Sequence, residues 1–431
     1  MFEHLNFRVN HHHADYSDAV FPKEDQRILR DLGKQVAKIA ARPIMKEKQK
    51  LWMKHNSLEG TRPVILADPE NGWNEIIRPE DIKCQNSIAR IWECQLRKHI
   101  FWGDEMNDDF VVEPYFNLPC VYTERPWRVA GAEGRQTEKK AREDGGSYRI
   151  ETVLEEYSQL QSIVKPSLEI DYGTTSILLD KSREIFADVL EVRLHTVWFW
   201  SVGLTDDLLF LRGLERLMYD FYDEPVGVHR LMELLLQGAM ERLDLLEERS
   251  LLCLNNDGSF VGSGGMGFTR ELPRVDFDGL VTTKDLWGLG ESQATVGLSP
   301  EMFKEFIFPY QKSLLERFGL VCYGCCEPMD DRFDIVKEAA NLRRVSVSPW
   351  SNKELMAEKL GKDYICSMKA NPANLAAPAL NEEAVREEFK IIKRVAPNTC
   401  LEVIMKDNHT IGGNPENVKR WVQIAREELG L

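Results

Sequence analysis

Short apolar runs alternate with longer amphipathic stretches along this chain, and that alternation predicts its elements. From Glu24 to Trp52 the apolar positions Leu29, Leu32, Val36 and Ile39 recur at helical spacing, and polar breakers follow from Asn56 to Gly60. This predicts an N-terminal helical extension over residues 1–60. Pro63 to Asp68 is a short apolar run ending on an acid and a Pro/Asn/Gly turn, the pattern of a buried strand. Phe110 to Leu118 is a second such run, after an amphipathic segment that carries Trp92, Leu96 and Ile100. Residues 124–150 are rich in Glu, Arg, Lys and Gly and poor in large apolar groups, so they read as an exposed insertion, either a plain surface loop or a lid.

From Val192 the alternation becomes regular. Val192 to Ser201 reads as a strand, Asp206 to Phe221 as a helix closed by Asp223-Glu224-Pro225, and Val228 to Arg249 as a second helix. Leu251 to Asp257, Leu286 to Gln293, Gly319 to Cys325, Arg343 to Pro349, Tyr364 to Met368 and Leu401 to Asp407 repeat the strand pattern, with helices between most of them. Strands separated by helices pair in parallel, and many repeats favour an α/β fold of the (β/α)8 barrel type over an open sheet, here spanning residues 61–431. The nine candidate strands exceed the eight of a closed barrel by one, so one lies outside it. No glycine-rich phosphate fingerprint follows the first strand. Gly262-Ser263-Gly264-Gly265-Met266-Gly267 opens no helix and reads as a flexible or ligand-closing loop.

Length and composition agree with one large domain. A chain of 431 residues with 43% hydrophobic residues can bury the core of such a barrel. A net charge of −15 argues against nucleic acid as a partner. No apolar run reaches the roughly 20 residues needed to span a bilayer, and Met1-Phe2-Glu3-His4 does not open an export signal, so a cytoplasmic protein without a membrane partner is expected. The nine cysteines are spread unevenly, with Cys322, Cys325 and Cys326 close together, a pattern more typical of metal or redox chemistry than of a disulfide framework. The run His11-His12-His13 lies in a polar terminal segment and reads as solvated.

In a parallel barrel ligands bind where strands hand over to the following loops, so the polar residues at strand C-termini are the candidates. They include Asn256, Asp257, Trp350 and Asn371 as substrate-binding groups, and Glu291, Lys369, Asp407 and His409 as catalytic ones. Thiolates leaving neighbouring strands can converge on zinc without a local C-x-x-C pattern, which makes Cys325, Cys326, Cys366 and Glu291 a candidate ligand set with His409 in reserve. Adjacent strand residues point to opposite faces, so Cys325 and Cys326 can serve one site together only if their strand has already ended.

The stretches Leu217 to Pro225, Leu298 to Phe306 with Pro309-Tyr310, and Asn414-Pro415-Glu416-Asn417-Val418 resemble the uroporphyrinogen decarboxylase superfamily, over roughly residues 185–431. That resemblance implies the barrel and two chemistries. The decarboxylases hold an acidic tetrapyrrole with arginines from an early Arg-x-x-Gly-Arg-type segment, where this chain reads Glu113-Pro114-Tyr115-Phe116-Asn117-Leu118-Pro119. The other branch comprises zinc-dependent methyltransferases that serve a corrinoid protein or a thiol and carry a His-x-Cys-Gly segment; the nearest stretch here is Tyr323-Gly324-Cys325-Cys326, without the histidine. The resemblance therefore implies a zinc-dependent methyltransferase acting on a small methyl donor, with a corrinoid carried by a partner protein, and leaves a carboxy-lyase as the alternative. A homodimer stays open.

Overall fold

The computed structural model of the chain describes residues 20–130 and 153–431, so the His11–His13 run and most of the 124–150 insertion lie outside the described residues. Among these residues eight strands pair in parallel: β1 Val64–Ala67, β2 Tyr115–Leu118, β3 Glu191–Leu194, β4 Trp287–Gly290, β5 Leu320–Tyr323, β6 Leu342–Val347, β7 Ile365–Lys369 and β8 Cys400–Met405. Six of them form one sheet in the order β1-β8-β7-β6-β5-β4, and β2 pairs with β3 separately. The chain flanking that pair touches both sheet edges. Asp109 N–H donates to the Ile65 carbonyl and Val202 N–H to the Leu289 carbonyl, each at 2.8 Å, but no continuous ladder joins them.

Strand register divides the sheet into two chemically different faces. Val345, Cys366 and Leu401 stand side by side on one face, against apolar helices such as Lys353–Leu360 and Glu416–Leu429. Ser346, Ser367 and Glu402 stand side by side on the other, with Arg344, Lys369 and Ile404 in the same phase. Both faces are buried, the polar side chains included.

A wedge fills the polar face. The segment after Leu251, expected as a strand, pairs with no strand, because the Asn255 side chain takes the place of a ladder: its Oδ1 accepts from Trp287 N–H at 3.0 Å and its Nδ2 donates to the Trp287 carbonyl at 3.1 Å. The chain then dips between the strands through Gly262, Gly264 and Gly265, all with positive φ. A side chain at Gly262 would strike Cys322, and one at Gly265 would press on Arg344 and Glu402. The expected flexible loop is therefore a packed insert. Its base is tied down by Asn56, whose amide donates to the carbonyls of Met266 and Phe268 at 2.8 and 2.7 Å.

Other expectations shift in detail. The N-terminal helix is two, Lys23–Ala40 and Pro43–Asn56, because Pro43 cannot continue the first and opens the second. The helix expected from Asp206 breaks at Gly213, φ 78°, into Thr205–Arg212 and Leu214–Asp223. Val192 to Ser201 shrinks to β3, and Trp198 Nε1 beyond it donates to the Leu251 carbonyl at 2.7 Å.

Candidate active site

The chemistry-bearing groups collect at the C-terminal ends of β4, β5 and β8. β5 ends at Tyr323, and Gly324 turns the chain at φ 93°, a conformation that favours glycine. The strand has thus ended before the two cysteines, which lets both sulfurs share one side, 3.5 Å apart. The Cys326 thiol donating to it, together with the nearby Lys406 ammonium and Ser263 hydroxyl, brings Cys325 down to about 7 although it is buried. The same hydrogen bond pushes Cys326 strongly up, so the first proton that the pair loses comes from Cys325.

Lys406 continues the polar phase of β8 one residue past its end. Its ammonium donates to Ser263 Oγ at 3.0 Å and lies 3.8 Å from Cys325 Sγ, while Ser263 Oγ donates to the same sulfur at 3.4 Å. The tip of the glycine wedge therefore places a hydroxyl between cation and sulfur. Burial works against the charge of Lys406, but Cys325, Asp407 and Glu70 around it hold its pKa well above the ordinary lysine range.

Buried carboxyl groups border this pair. Burial, with Asp206 and Glu327 nearby, raises Glu291 well above the ordinary carboxylate range, which favours its protonated form. Gln293 N–H donates to its Oε2 at 3.0 Å. Glu327 accepts from the N–H groups of Ser292 at 2.7 Å and Cys325 at 2.9 Å, which fixes the turn that carries the cysteines. Burial also raises Glu70, to about 8.

Several residues expected at the site lie elsewhere. Cys366 sits on the helix-facing side of β7, opposite in phase to Lys369, so it cannot meet Cys325. Lys369 itself turns back along the polar face to donate to Ser367 Oγ at 2.6 Å, and burial lowers it to about 8. Asn256 ties the wedge through a 2.7 Å bond to the Leu272 carbonyl, and Asp257 pairs with Arg193 at 3.1 Å. Both lie beside Asn255, which meets the first residue of β4 rather than its last. Asn371 caps the short helix Pro372–Leu375, Trp350 is 69% exposed, and His409 is exposed beyond the end of β8. Asp407 does reach the cluster: Cys326 Sγ lies 3.8 Å from its Oδ2.

The proposed zinc ligands consequently do not fit a metal. Cys366 points away, a lysine ammonium already neutralises Cys325, and among the described residues no group of three or more His, Cys, Asp or Glu side chains is placed to hold an ion. Lys406, Ser263 and Glu70 are the site members that sequence reasoning missed. The rule that selected Asp407 also covers Lys406, its neighbour at the strand end, whereas nothing local marks Ser263 or Glu70. No protein-family model and no curated protein matches the chain.

Proposed function

We propose that the chain is a methyltransferase whose nucleophile is the Cys325 thiolate, working at the C-terminal rim of a barrel-like ring of parallel strands. The observation that carries this reading is the buried contact of Cys325 with Lys406, Ser263 and Cys326, which makes a thiolate available near neutral pH. The sulfur lone pair forms an S–C bond to the methyl carbon of a small donor while the bond from that carbon to its heteroatom breaks, and the heteroatom keeps the electron pair. A quaternary ammonium departs as a neutral amine and needs no proton, whereas an ether oxygen takes one from the Glu291 carboxyl, which burial favours in its protonated form. The methyl group would leave Cys325 when a second nucleophile, a small thiolate or a corrinoid carried by a partner protein, bonded to the methyl carbon and the S–C pair returned to sulfur. Two neighbouring donors and a lysine make Cys325 a better leaving group than an ordinary thiolate.

The carboxy-lyase alternative fits less well, because the groups next to Glu291 are mostly acidic and would repel a polycarboxylate. The test is alkylation of the whole chain by limiting iodoacetamide at pH 7 with peptide mapping. The reading expects modification to fall first on Cys325 and to protect when a methyl donor occupies the site. Modification spread over the other cysteines at equal rates contradicts it.

A further inference from the structure

A cavity of about 470 Å³ adjoins Glu291 on the side away from the wedge, within the range of small-molecule sites. Its walls are aromatic: Trp127, Trp198, Phe199, Trp200 and Phe210 all line it. They are built in rather than swept there by chance. Trp127 packs against the helix Pro225–Glu248 at Gly238, where any side chain would collide with its indole, and its N–H donates to Asp207. Trp198 is held by its bond to Leu251 and by Tyr122, whose ring centroid is 5.0 Å away.

The polar groups of the cavity are unbalanced. Glu124, Asp206, Asp207 and Glu291 line it, and Arg242 is the one lysine or arginine among the described lining residues. That guanidinium is already engaged, 2.7 Å from Glu124 and donating to the Trp198 carbonyl at 2.8 Å. Glu124 is matched by Arg242, which leaves the carboxyl groups of Asp206, Asp207 and Glu291 with no ion-pair partner among the described lining residues. Burial raises both aspartates, Asp207 to about 6, which still leaves it mostly ionised at pH 7. A metal ion prefers oxygen ligands on several sides, not aromatic faces. A weakly hydrated organic cation suits both the rings and the carboxylates.

We infer that this cavity binds a small quaternary ammonium cation, with the aromatic faces around its methyl groups and Asp206 and Asp207 balancing its charge. This names the donor class for the methyl transfer proposed above and rests on that reading for its catalytic meaning, since Glu291 borders both the cavity and the thiolate. Binding itself does not depend on the thiol. Gly203 lets the chain pass close to Glu291 at the cavity wall, since a side chain there would run into the Glu291 carbonyl and carboxyl.

Tryptophan fluorescence and calorimetry of the full chain with choline, tetramethylammonium and the neutral choline isostere 3,3-dimethylbutan-1-ol test the inference. Saturable binding of both cations is expected, with the isostere at least about tenfold weaker. Asp206→Asn with Asp207→Asn should weaken choline by at least about tenfold while a circular-dichroism melt stays unchanged, and Cys325→Ser should bind choline as the parent chain does. Equal binding of the isostere, or no saturable binding of either cation, overturns the inference. The isostere comparison uses the unaltered chain and so stands even if the double variant does not fold. Choline binding without a reactive Cys325 would sink the methyl-transfer reading alone, and a reactive Cys325 without choline binding would sink this inference alone.

Discussion

Two sulfurs 3.5 Å apart at Cys325 and Cys326 lose their first proton near pH 7, and Lys406 and Ser263 on the Cys325 side favour its loss from Cys325. Removing the donor thiol by Cys326→Ala is expected to raise the Cys325 pKa by about one unit or more, equivalent to about 1.4 kcal/mol, and the pH dependence of its alkylation rate reads this directly. Lys406→Met should act in the same direction. An unchanged pH profile in both variants would mean that neither neighbour stabilises the thiolate. The parity argument that left the two cysteines on opposite faces of a strand was correct as far as the strand runs. It was overtaken by Gly324, whose φ of 93° ends the strand first. For Cys366 the same parity held and removed it from the site.

At the scale of elements, the glycine wedge and its anchor matter most, because they deliver Ser263 to Lys406. Gly265 has a φ of 112° and would press a side chain onto Arg344 and Glu402. Gly265→Ala is therefore expected to destabilise the fold by about 1–3 kcal/mol in urea unfolding. Asn255→Ala strips partners from both Trp287 backbone groups and should cost about 1–3 kcal/mol in the same measurement. Eight of the nine strand runs were legible in the sequence because buried parallel strands are short, apolar and followed by polar turns. Leu251 to Asp257 carries that same pattern, yet its neighbour is met by an amide side chain instead of a backbone ladder, which no local periodicity encodes. The wedge was missed for a related reason. Glycines mark freedom of the backbone, and only the tertiary contacts show that the freedom is used to pass close to Cys322 and Arg344.

Across the whole molecule, the polar face of the sheet is held by a buried charge network. Glu402 accepts from His55 Nε2 at 3.1 Å and faces Arg344 Nε at 3.0 Å. Burial opposes both charges, yet the hydrogen bonds to Cys400 and Glu402 raise His55 from 6.5 to about 9, and Arg344 with His55 lowers Glu402 from 4.5 to about 2. The sign follows. The His55 contribution is fully present below pH 6.5 and is lost as pH rises through 9, and the Glu402 contribution is fully present above pH 4.5 and is lost as pH falls through 2. Stability against urea should therefore plateau between these limits, and His55→Gln should flatten the alkaline limb. A limb that keeps its slope in that variant would assign it to other groups. The extended strand pattern made this framework legible, whereas the network was not, because His55 and Glu402 lie 347 positions apart. The parts of the candidate site are also apart in sequence, 62 positions between Ser263 and Cys325 and 81 between Cys325 and Lys406, so its strand-end members could be collected by rule while Ser263, on the wedge, could not. The account stands or falls on the ionisation of Cys325. A thiolate absorbance titration at 240 nm, taken as the difference between the parent chain and Cys325→Ser, should show one thiolate forming with a midpoint near 7. A midpoint at or above the 9.0 of an ordinary thiol, or no difference between the two proteins below that pH, would contradict it.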